Sequence, residues 1–355
     1  MAALFGIEPS REELSRWTGD VRQVAGVRMM ELSDGPETGV RIADVRTGSG
    51  LRFQVSLDRG MDISAAEFKG IPLAWRSSVG DVHPRFFEPT GKGWLRSFPG
   101  GLMTGCGMTQ AGAPCTDEGE ELGLHGRLSH LPASDVRSTT TWEGNRCFFR
   151  VEGSVREWKM FGENLLLRRC IETELGSSLI TIRDRVVNEG SGASPIMMLY
   201  HCNLGWPLVS PSSRLMLNTA SEEPRDEEAA KGMSTARAFV QPTEGFQEQV
   251  FRYSLKPDGE GFGCALMYNE SLGIGCSVRF RLKELPRFME WKMMGEGMYV
   301  VGLEPANCLT GGRAAERKNG TLQFLQPAEE REFIVRLQVL EGNEVRTLIK
   351  DQNLR

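Results

Sequence analysis

Hydrophobic and polar residues alternate along several stretches of the chain, which is the pattern of strands that bury one face. The stretches 51–57, 278–282 and 332–340 show this alternation most clearly. Further strand candidates lie at 148–155, 165–173, 179–187, 196–202, 214–218, 288–294, 298–304 and 321–326. Clusters of Gly, Pro, Asn and Ser separate them, and helical periodicity longer than three turns is nearly absent. The pattern predicts a mainly antiparallel all-β protein with few short helices, most simply two large sheets packed face to face.

One helix signal stands at the N-terminus. Ser10 is followed three positions later by Glu13, which is the spacing of a capping box. We therefore expect a helical N-terminal extension over about residues 1–25, ahead of the strands. No convincing linker follows, so residues 1–355 are predicted to form a single β-sandwich domain.

Two segments fit neither strands nor long helices. The most polar stretch, 219–232, is flanked by strand-like sequence and is predicted to be a solvated loop or short helix. The segment 77–101 is long and irregular, and long loops on a rigid scaffold often line binding sites.

Composition narrows the class of protein. Hydrophobic residues make up 40% and charged residues 25% of 355 residues, as in ordinary globular proteins. A net charge of −5 argues against nucleic-acid or anionic-membrane partners, which need a basic face. The sequence shows neither a signal peptide nor a run of about 18 apolar residues, so we expect a cytoplasmic protein. Eight cysteines, none at Cys-x-x-Cys spacing, favour reduced thiols over a zinc knuckle or a disulfide framework.

His125 is one of only four histidines, and it stands between Gly123 and Gly126. Glycines allow the backbone to approach a ligand closely, which favours a binding or catalytic role. Arg127 would share the face of His125 if the segment were extended. A structural histidine in a turn is the alternative.

His201 and Glu304 each end an apolar, strand-like run. His201 is followed by Asn203, and a polar group at the end of a buried strand is placed to receive a sugar or another polar ring. Partial burial would raise the pKa of the Glu304 carboxyl towards neutrality, as a general base requires. The alternatives are a hydrogen-bonded core histidine and an exposed turn glutamate.

Other candidates lie elsewhere in the sequence. Arg59 and Asp62 cluster in 56–63, where Arg59 could hold substrate oxygens or form a structural ion pair. Trp291 could offer a flat face to a sugar ring, with Lys292 as a polar partner, although methionine-rich stretches such as 288–297 more often pack in a core.

Several of these segments resemble the aldose 1-epimerase, or galactose mutarotase-like, superfamily. The segment LGLHGR at 122–127 is similar to the family's Leu-His-Gly-Gly segment and matches its catalytic-site histidine to His125. The segment 186–207 resembles the strand that runs into a second histidine, at His201, and VVGLEP resembles the strand that carries the catalytic glutamate, at Glu304. The stretch 322–340 resembles the family's closing strand pair. The family pattern departs at Arg127, where a second glycine is usual, and at Cys202 and Asn203 after the second histidine.

The resemblance implies a β-supersandwich and an isomerase that interconverts sugar anomers, or epimerises a related sugar, by acid–base ring opening without a cofactor. Glu304 would act as the base and His201 as the acid, while His125 and Arg59 would hold hydroxyl groups. The binding site would be completed by Arg127, Asn203, Trp291, Lys292 and Asp62. A phosphorylated sugar stays open as the substrate, because Arg59, Arg127 and Lys292 could together receive a phosphate.

Two alternatives remain from the residues themselves. Two histidines and a carboxylate could bind a divalent metal in a sugar isomerase or lyase. The domain could also bind carbohydrate without turnover. The expected partner is a small sugar or sugar phosphate, with no nucleic acid and no membrane. The identity of the sugar and the oligomeric state, with a homodimer among the options, are left open by the sequence.

Overall fold

Antiparallel strands build most of the protein, as the alternation predicted. The computed structural model describes residues 4–355, and 48% of the chain is strand. The strands are β1 (Gly26–Glu31), β2 (Arg41–Arg46), β3 (Leu51–Ser56), β4 (Asp62–Phe68), β5 (Ile71–Pro72), β6 (Thr104–Met108), β7 (Cys115–Asp117), β8 (Glu120–Leu122), β9 (Ser134–Glu143), β10 (Arg146–Trp158), β11 (Asn164–Glu174), β12 (Leu179–Asn188), β13 (Ser194–Pro195), β14 (Met197–Gly205), β15 (Ser213–Leu217), β16 (Thr219–Pro224), β17 (Gln249–Leu255), β18 (Phe262–Asn269), β19 (Ile274–Arg281), β20 (Arg287–Gly295), β21 (Met298–Ala306), β22 (Phe324–Leu325) and β23 (Glu330–Glu341). The α-helices are α1 (Arg11–Trp17), α2 (Glu227–Gly232), α3 (Arg313–Lys318) and α4 (Asn343–Asp351).

The capping box at the start of α1 is present. The Ser10 hydroxyl accepts from the backbone N–H of Glu13, and the Glu13 carboxylate accepts from the backbone N–H of Ser10 at 2.8 Å. The helix ends at Trp17, and the first strand starts at Gly26. The predicted extension over 1–25 is therefore helical at α1 and at one 3₁₀ turn, Val21–Gln23, and its residues 1–3 lie outside the described residues.

Three larger sheets and two two-stranded sheets organise the strands. An eight-stranded sheet has the order β15-β18-β19-β23-β12-β11-β10-β9, and a six-stranded sheet has the order β16-β17-β20-β21-β14-β6. A five-stranded meander, β1 to β5, and the two-stranded pairs β7-β8 and β13-β22 complete the set. Because every pair of neighbouring strands is antiparallel, the architecture is the β-sandwich that the sequence analysis predicted.

The six-stranded sheet is covered on both faces. On β14, Tyr200 and Cys202 belong to the main core, which also includes side chains of the eight-stranded sheet. Met197 and Leu199 of the same strand belong to a second core with Trp94 and other residues. Since successive side chains of a strand point to opposite faces, this second core lies on the outer face of the six-stranded sheet.

The prediction of irregular structure agrees with the fold for one of the two segments and only in part for the other. Residues 77–101 contain only two short 3₁₀ turns, Pro84–Phe86 and Gly93–Ser97, which agrees with a long loop. The polar stretch 219–232 contains the strand β16 as well as the short helix α2. The strand was missed because β16 is an edge strand, and its exposed face leaves no apolar alternation to detect.

Candidate active site

A cavity of about 520 Å³ opens on the outer face of the six-stranded sheet. Its floor is formed by β14, β20 and β21, and its walls by the 77–101 loop and the segment that follows β6. His125, His201 and Glu304, the three residues predicted to be catalytic, all line it. The volume lies within the range of small-molecule sites. The other lining residues are Trp75, Ser77, Ser78, Val79, Lys92, Trp94, Leu95, Phe98, Gly112, Ala113, Pro114, Leu124, Arg225, Glu248, Val250, Trp291, Met298 and Thr310.

His201 and Glu304 are direct cross-strand neighbours. Cys202 pairs with Leu303 in the antiparallel ladder of β14 and β21, which sets His201 opposite Glu304 on the cavity face. The Nε2 atom of His201 lies 3.3 Å from Oε1 of Glu304, and both side chains are buried. The register of two strands therefore creates a contact between an imidazole and a carboxyl group.

Gly302 provides the space for this contact. A Cβ atom at position 302 would lie 2.9 Å from Cε1 of His201 and 3.2 Å from Oε1 of Glu304. It would also lie 3.2 Å from Cβ of Trp291, the cross-strand partner of Gly302 on β20. A glycine is therefore required for the three side chains to meet above one position of the sheet.

The backbone around His125 is tightly constrained. His125 has a φ of 56°, in the left-handed region, and its N–H donates to the carbonyl of Gly112 at 2.8 Å. The N–H of Gly112 lies 3.4 Å from Nδ1 of His125, which leaves Nε2 as the protonated nitrogen that can donate to a ligand. A Cβ at Gly126 would lie 2.2 Å from the carbonyl oxygen of Gln110. The glycine after His125 thus allows a close approach to the backbone of Gln110, whereas the sequence frame had suggested an approach to a ligand.

Aromatic rings surround the three polar groups. The Trp94 ring lies 4.8 Å from the His125 ring, centroid to centroid, and the Trp291 ring lies 5.5 Å from the His201 ring in an edge-to-face arrangement. Phe98 lies 5.5 Å from His201 on another side. Such apolar walls exclude water and offer flat faces to the C–H side of a sugar ring.

Burial shifts the acid–base properties of the cluster. Desolvation raises the pKa of Glu304 to about 8, although nearby Arg225 opposes part of this increase. Desolvation lowers the pKa of His201 to about 3, with His125 adding to the decrease and the Asn203 side chain opposing it. The pKa of His125 is also lowered by desolvation. At neutral pH, the His201–Glu304 pair consequently holds one shared proton and no net charge.

Besides Lys92 of the 77–101 loop, two charged residues of the cavity were not predicted from the sequence. Glu248, just before β17, accepts a hydrogen bond from the indole N–H of Trp291 at 3.0 Å. Its other oxygen accepts from Nη2 of Arg225 at 3.2 Å, and Arg225 follows β16. Arg225 and Glu248 both lie next to strand ends of the six-stranded sheet. The sequence around them shows no strand-like alternation, so no local pattern pointed to them.

Arg59 lies outside the cavity, and this corrects its expected role as a clamp on substrate oxygens. Its guanidinium is buried and donates to the carbonyls of Val82 and Ser97, each at 2.6 Å. His130 lies 3.3 Å from the same guanidinium. Because both carbonyls belong to the 77–101 loop, Arg59 holds the wall of the cavity from behind.

Asp62 is also buried away from the cavity lining. It accepts from the N–H of Gly105 at 2.8 Å and from the Ser129 hydroxyl at 2.7 Å, and Arg169 lies 3.6 Å away. Burial raises its pKa to about 6. These contacts join β4 to β6 and to the segment after His125, which is a structural role.

Three other predicted binding residues lie outside the lining. Lys292 points into the protein, where its ammonium donates to the carbonyls of Thr235 and Ala238 at 2.8 and 2.7 Å. Arg127 is exposed on the surface. Asn203 is buried beside His201 and donates to the carbonyls of Gly101 and His201 at 3.0 and 2.9 Å. The predicted phosphate-binding set of Arg59, Arg127 and Lys292 is therefore not assembled at the cavity.

The position of Arg59 leads to a stability prediction. In Arg59→Lys, a single ammonium replaces the planar guanidinium, whose two terminal nitrogens donate to two carbonyls. At least one buried carbonyl therefore loses its hydrogen-bond donor. We expect the free energy of unfolding in urea to fall by about 2 kcal/mol. The matched change Arg127→Lys, on the exposed surface, should alter it by less than about 0.5 kcal/mol. Equal effects of both changes would contradict the structural role of Arg59.

Among residues 4–355, no group of three His, Cys, Asp or Glu side chains is arranged to hold a metal ion. His125 and His201 have ring centroids 5.9 Å apart in an edge-to-face arrangement. The two rings therefore meet edge to face in the wall of the cavity.

A family model described as a domain of unknown function, DUF4432, matches residues 37–339. The chain belongs to the DUF4432 family. No curated protein has a sequence that matches this DUF4432 chain.

Solved structures relate this DUF4432 protein to sugar epimerases. A provisionally named aldose 1-epimerase from Klebsiella pneumoniae is 26% identical, and the match covers 92% of this chain and 87% of that one with a TM-score of 0.87. A galactose mutarotase-like protein from Clostridium acetobutylicum is 13% identical, covering 90% and 100% of the two chains, with a TM-score of 0.63. The galactose 1-epimerase of Lactobacillus acidophilus is 13% identical, covering 90% and 99%, with a TM-score of 0.59.

The structure that is 26% identical places the DUF4432 chain in the aldose 1-epimerase, or galactose mutarotase-like, superfamily, as the sequence resemblance predicted. The two structures that are 13% identical support the shared fold alone.

No helix within residues 4–355 is long and apolar enough to span a membrane.

Proposed function

We propose that this DUF4432 protein is an isomerase that interconverts the anomers of a sugar, or epimerises a related one, by acid–base ring opening at the described cavity. The observation that carries the proposal is the 3.3 Å contact between His201 and Glu304, beside His125 and within aromatic walls. Superfamily membership supports the same class of reaction.

The shared proton supplies both catalytic groups. The proton of the pair rests on Glu304 in the free protein, and its transfer to Nε2 of His201 across the 3.3 Å contact leaves Glu304 as a carboxylate that can accept a proton from the anomeric hydroxyl. As the bond between C1 and the ring oxygen breaks, the His201 imidazolium gives its proton to that oxygen. The open-chain aldehyde rotates about the C1–C2 bond and recloses on its other face. Glu304 then returns its proton to the carbonyl oxygen, and His201 takes one from the attacking hydroxyl, so the pair is regenerated.

The surrounding residues orient and stabilise the reacting groups. His125 can donate from Nε2 to a ring hydroxyl or to the oxygen on which charge develops. The aromatic walls keep water away, which strengthens these polar interactions. All steps use groups of this chain, so the proposal needs no cofactor.

Exchange spectroscopy by NMR tests the proposal directly. A panel of free aldoses and their phosphates is screened for faster exchange between α and β anomers in the presence of the protein. We expect at least one sugar to exchange faster than its spontaneous rate. A protein that binds a sugar but accelerates no exchange in the panel would instead support a non-catalytic carbohydrate-binding role.

The pH dependence gives a second prediction. The single-proton form of the pair exists between the lowered pKa of His201, about 3, and the raised pKa of Glu304, about 8. We therefore expect kcat/KM to be flat from pH 5 to 7 and to fall about tenfold per unit well above pH 8, once spontaneous exchange is subtracted. A maximum near pH 5.5 with most activity lost by pH 7.5 would indicate unperturbed groups and contradict the model.

A further inference from the structure

A charge pair borders the His201–Glu304 contact without belonging to it. Arg225 and Glu248 both line the cavity, and they join each other at 3.2 Å. Arg225 also binds Asp226, through Nε at 2.7 Å. The Glu248 side chain is more than half exposed, and ion pairs of this kind contribute little to stability. The Arg225–Glu248 pair lines the cavity without contributing much to stability, so its position calls for a functional explanation.

The pair is connected to the acid–base groups through one aromatic ring. Glu248 accepts the indole N–H of Trp291 at 3.0 Å, and the Trp291 ring packs edge-on against the His201 ring at 5.5 Å. The backbone N–H of Arg225 donates to the carbonyl of Val250 at 2.9 Å, which fixes the base of the Arg225 side chain. A continuous set of contacts therefore runs from Arg225 to His201.

Arg225 and Glu248 are also the main charged groups that act on Glu304 at neutral pH. His201 on β14 and His125 in the adjoining segment are neutral, because desolvation lowers the pKa of each. The thiols of Cys106 and Cys308 are neutral too, because burial raises the pKa of each. Lys92, across the cavity on the 77–101 loop, is exposed.

Arg225 and Glu248 act on Glu304 in opposite directions. The guanidinium lowers the pKa of the Glu304 carboxyl, and the Glu248 carboxylate raises it, while desolvation remains the dominant cause of its increase. Removing Arg225 would leave Glu248 without its ion-pair partner, and removing Glu248 would leave Arg225 with Asp226 as its remaining ion-pair partner.

We propose that Arg225 and Glu248 are positioning residues that fix the Trp291 ring and balance the charge beside Glu304, so that the His201–Glu304 pair keeps its shared proton at neutral pH. This inference rests on the proposed role of that pair. Neither residue contacts the reacting atoms in this scheme.

Two charge-removing variants give opposite expectations. In Glu248→Gln, the remaining Arg225 cation favours the Glu304 carboxylate, so its titration should move to lower pH by about half a unit. In Arg225→Gln, the remaining Glu248 anion should move it to higher pH by a similar amount. In the variant that combines Glu248→Gln and Arg225→Gln, the titration of Glu304 should return close to its wild-type position. Glutamine at position 248 keeps a carbonyl oxygen that can accept from Trp291.

The experiment measures the ¹³C carboxyl signal of Glu304 across pH, with the signal assigned by its loss in Glu304→Gln. Glu244→Gln, in the exposed segment that also carries Glu248, and Arg28→Gln, on the exposed strand β1, are matched controls that remove one charge each. We expect no shift in either control. Shifts in the same direction for both test variants, shifts matched by the controls, or no shift at all would overturn the charge balance.

A second measurement tests the positioning of Trp291. Glu248→Ala removes the acceptor, so the ¹⁵N-indole resonance of Trp291 should move, whereas Glu248→Gln should largely preserve it. An unchanged indole resonance in Glu248→Ala would overturn this part of the proposal. These readouts are independent of turnover. Opposite carboxyl shifts in a protein that accelerates no sugar would contradict the proposed function and leave the charge balance standing.

Discussion

Glu304→Gln is expected to lower the rate of anomer exchange by about 10² to 10⁴ while leaving the fold intact. Glutamine keeps the size of the side chain, and its amide can donate to Nε2 of His201 across the contact that is 3.3 Å in the native protein. It cannot accept the proton of the anomeric hydroxyl. NMR exchange at saturating sugar measures the loss in kcat, and undiminished turnover would remove Glu304 from the role of base.

The same substitution should stabilise the protein at alkaline pH. The pKa of Glu304 is raised from 4.5 to about 8 in the folded protein, so between these values the folded state holds a proton that the unfolded state has released. The free energy of unfolding therefore falls as pH rises through this window, and the loss is complete above pH 8. Glutamine has no such loss.

We expect Glu304→Gln to exceed the wild type by about 3 kcal/mol in the free energy of unfolding at pH 8, and by much less at pH 5. Urea denaturation at both pH values measures the difference. Glu296→Gln, in the exposed turn between β20 and β21, removes the same charge and should show no comparable change with pH. Lower activity together with lower stability at pH 8 would mean that Glu304 supports the fold rather than the reaction.

The sequence predicted the fold well because strands of the eight-stranded sheet and of the β1–β5 meander alternate, while β14 and β21 of the six-stranded sheet are buried on both faces and form continuous apolar runs. The strands at 51–57, 165–173 and 179–187 bury one face against the main core, so local hydrophobic pattern and tertiary structure agree. The edge strand β16 was missed because it buries little, and its pairing with β17 cannot be read from its own residues.

The candidate site was predictable only in part. From the residues alone, His201 and Glu304 were polar groups at the ends of apolar runs, and only the family resemblance brought them together. The register of β14 and β21 that makes them neighbours depends on pairing between segments about 100 residues apart. Glu248 and Arg225 were missed for the same reason, since their link to Trp291 requires the strands to be paired.

Charged residues in strand-like sequence misled the interpretation most. Arg59 was expected at the ligand, but its partners are backbone carbonyls at Val82 and Ser97, which no local pattern reveals. Lys292 could have been recognised. Adjacent residues of a strand face opposite sides, so Trp291 and Lys292 could not both reach the same cavity.

Gly302→Ala is expected to lower the rate of anomer exchange strongly, although it adds only one methyl group. The new Cβ would lie 2.9 Å from Cε1 of His201 and 3.2 Å from Oε1 of Glu304, so the imidazole or the carboxyl must move out of its position. Displacements of about 1 Å in a catalytic pair can lower rates by about 10². We therefore expect kcat to fall at least about that far, as measured by the same NMR exchange.

Gly295→Ala provides the matched control for this substitution. It lies on the same β20–β21 hairpin, and its new Cβ would meet Cε of Met293 at 2.9 Å, the end of a flexible side chain that can turn aside. Both variants should retain the backbone conformation, because neither glycine has a φ in the left-handed region. Similar activities for Gly302→Ala and Gly295→Ala would indicate that the His201–Glu304 contact tolerates displacement, and would contradict a reaction that depends on one proton shared across that contact.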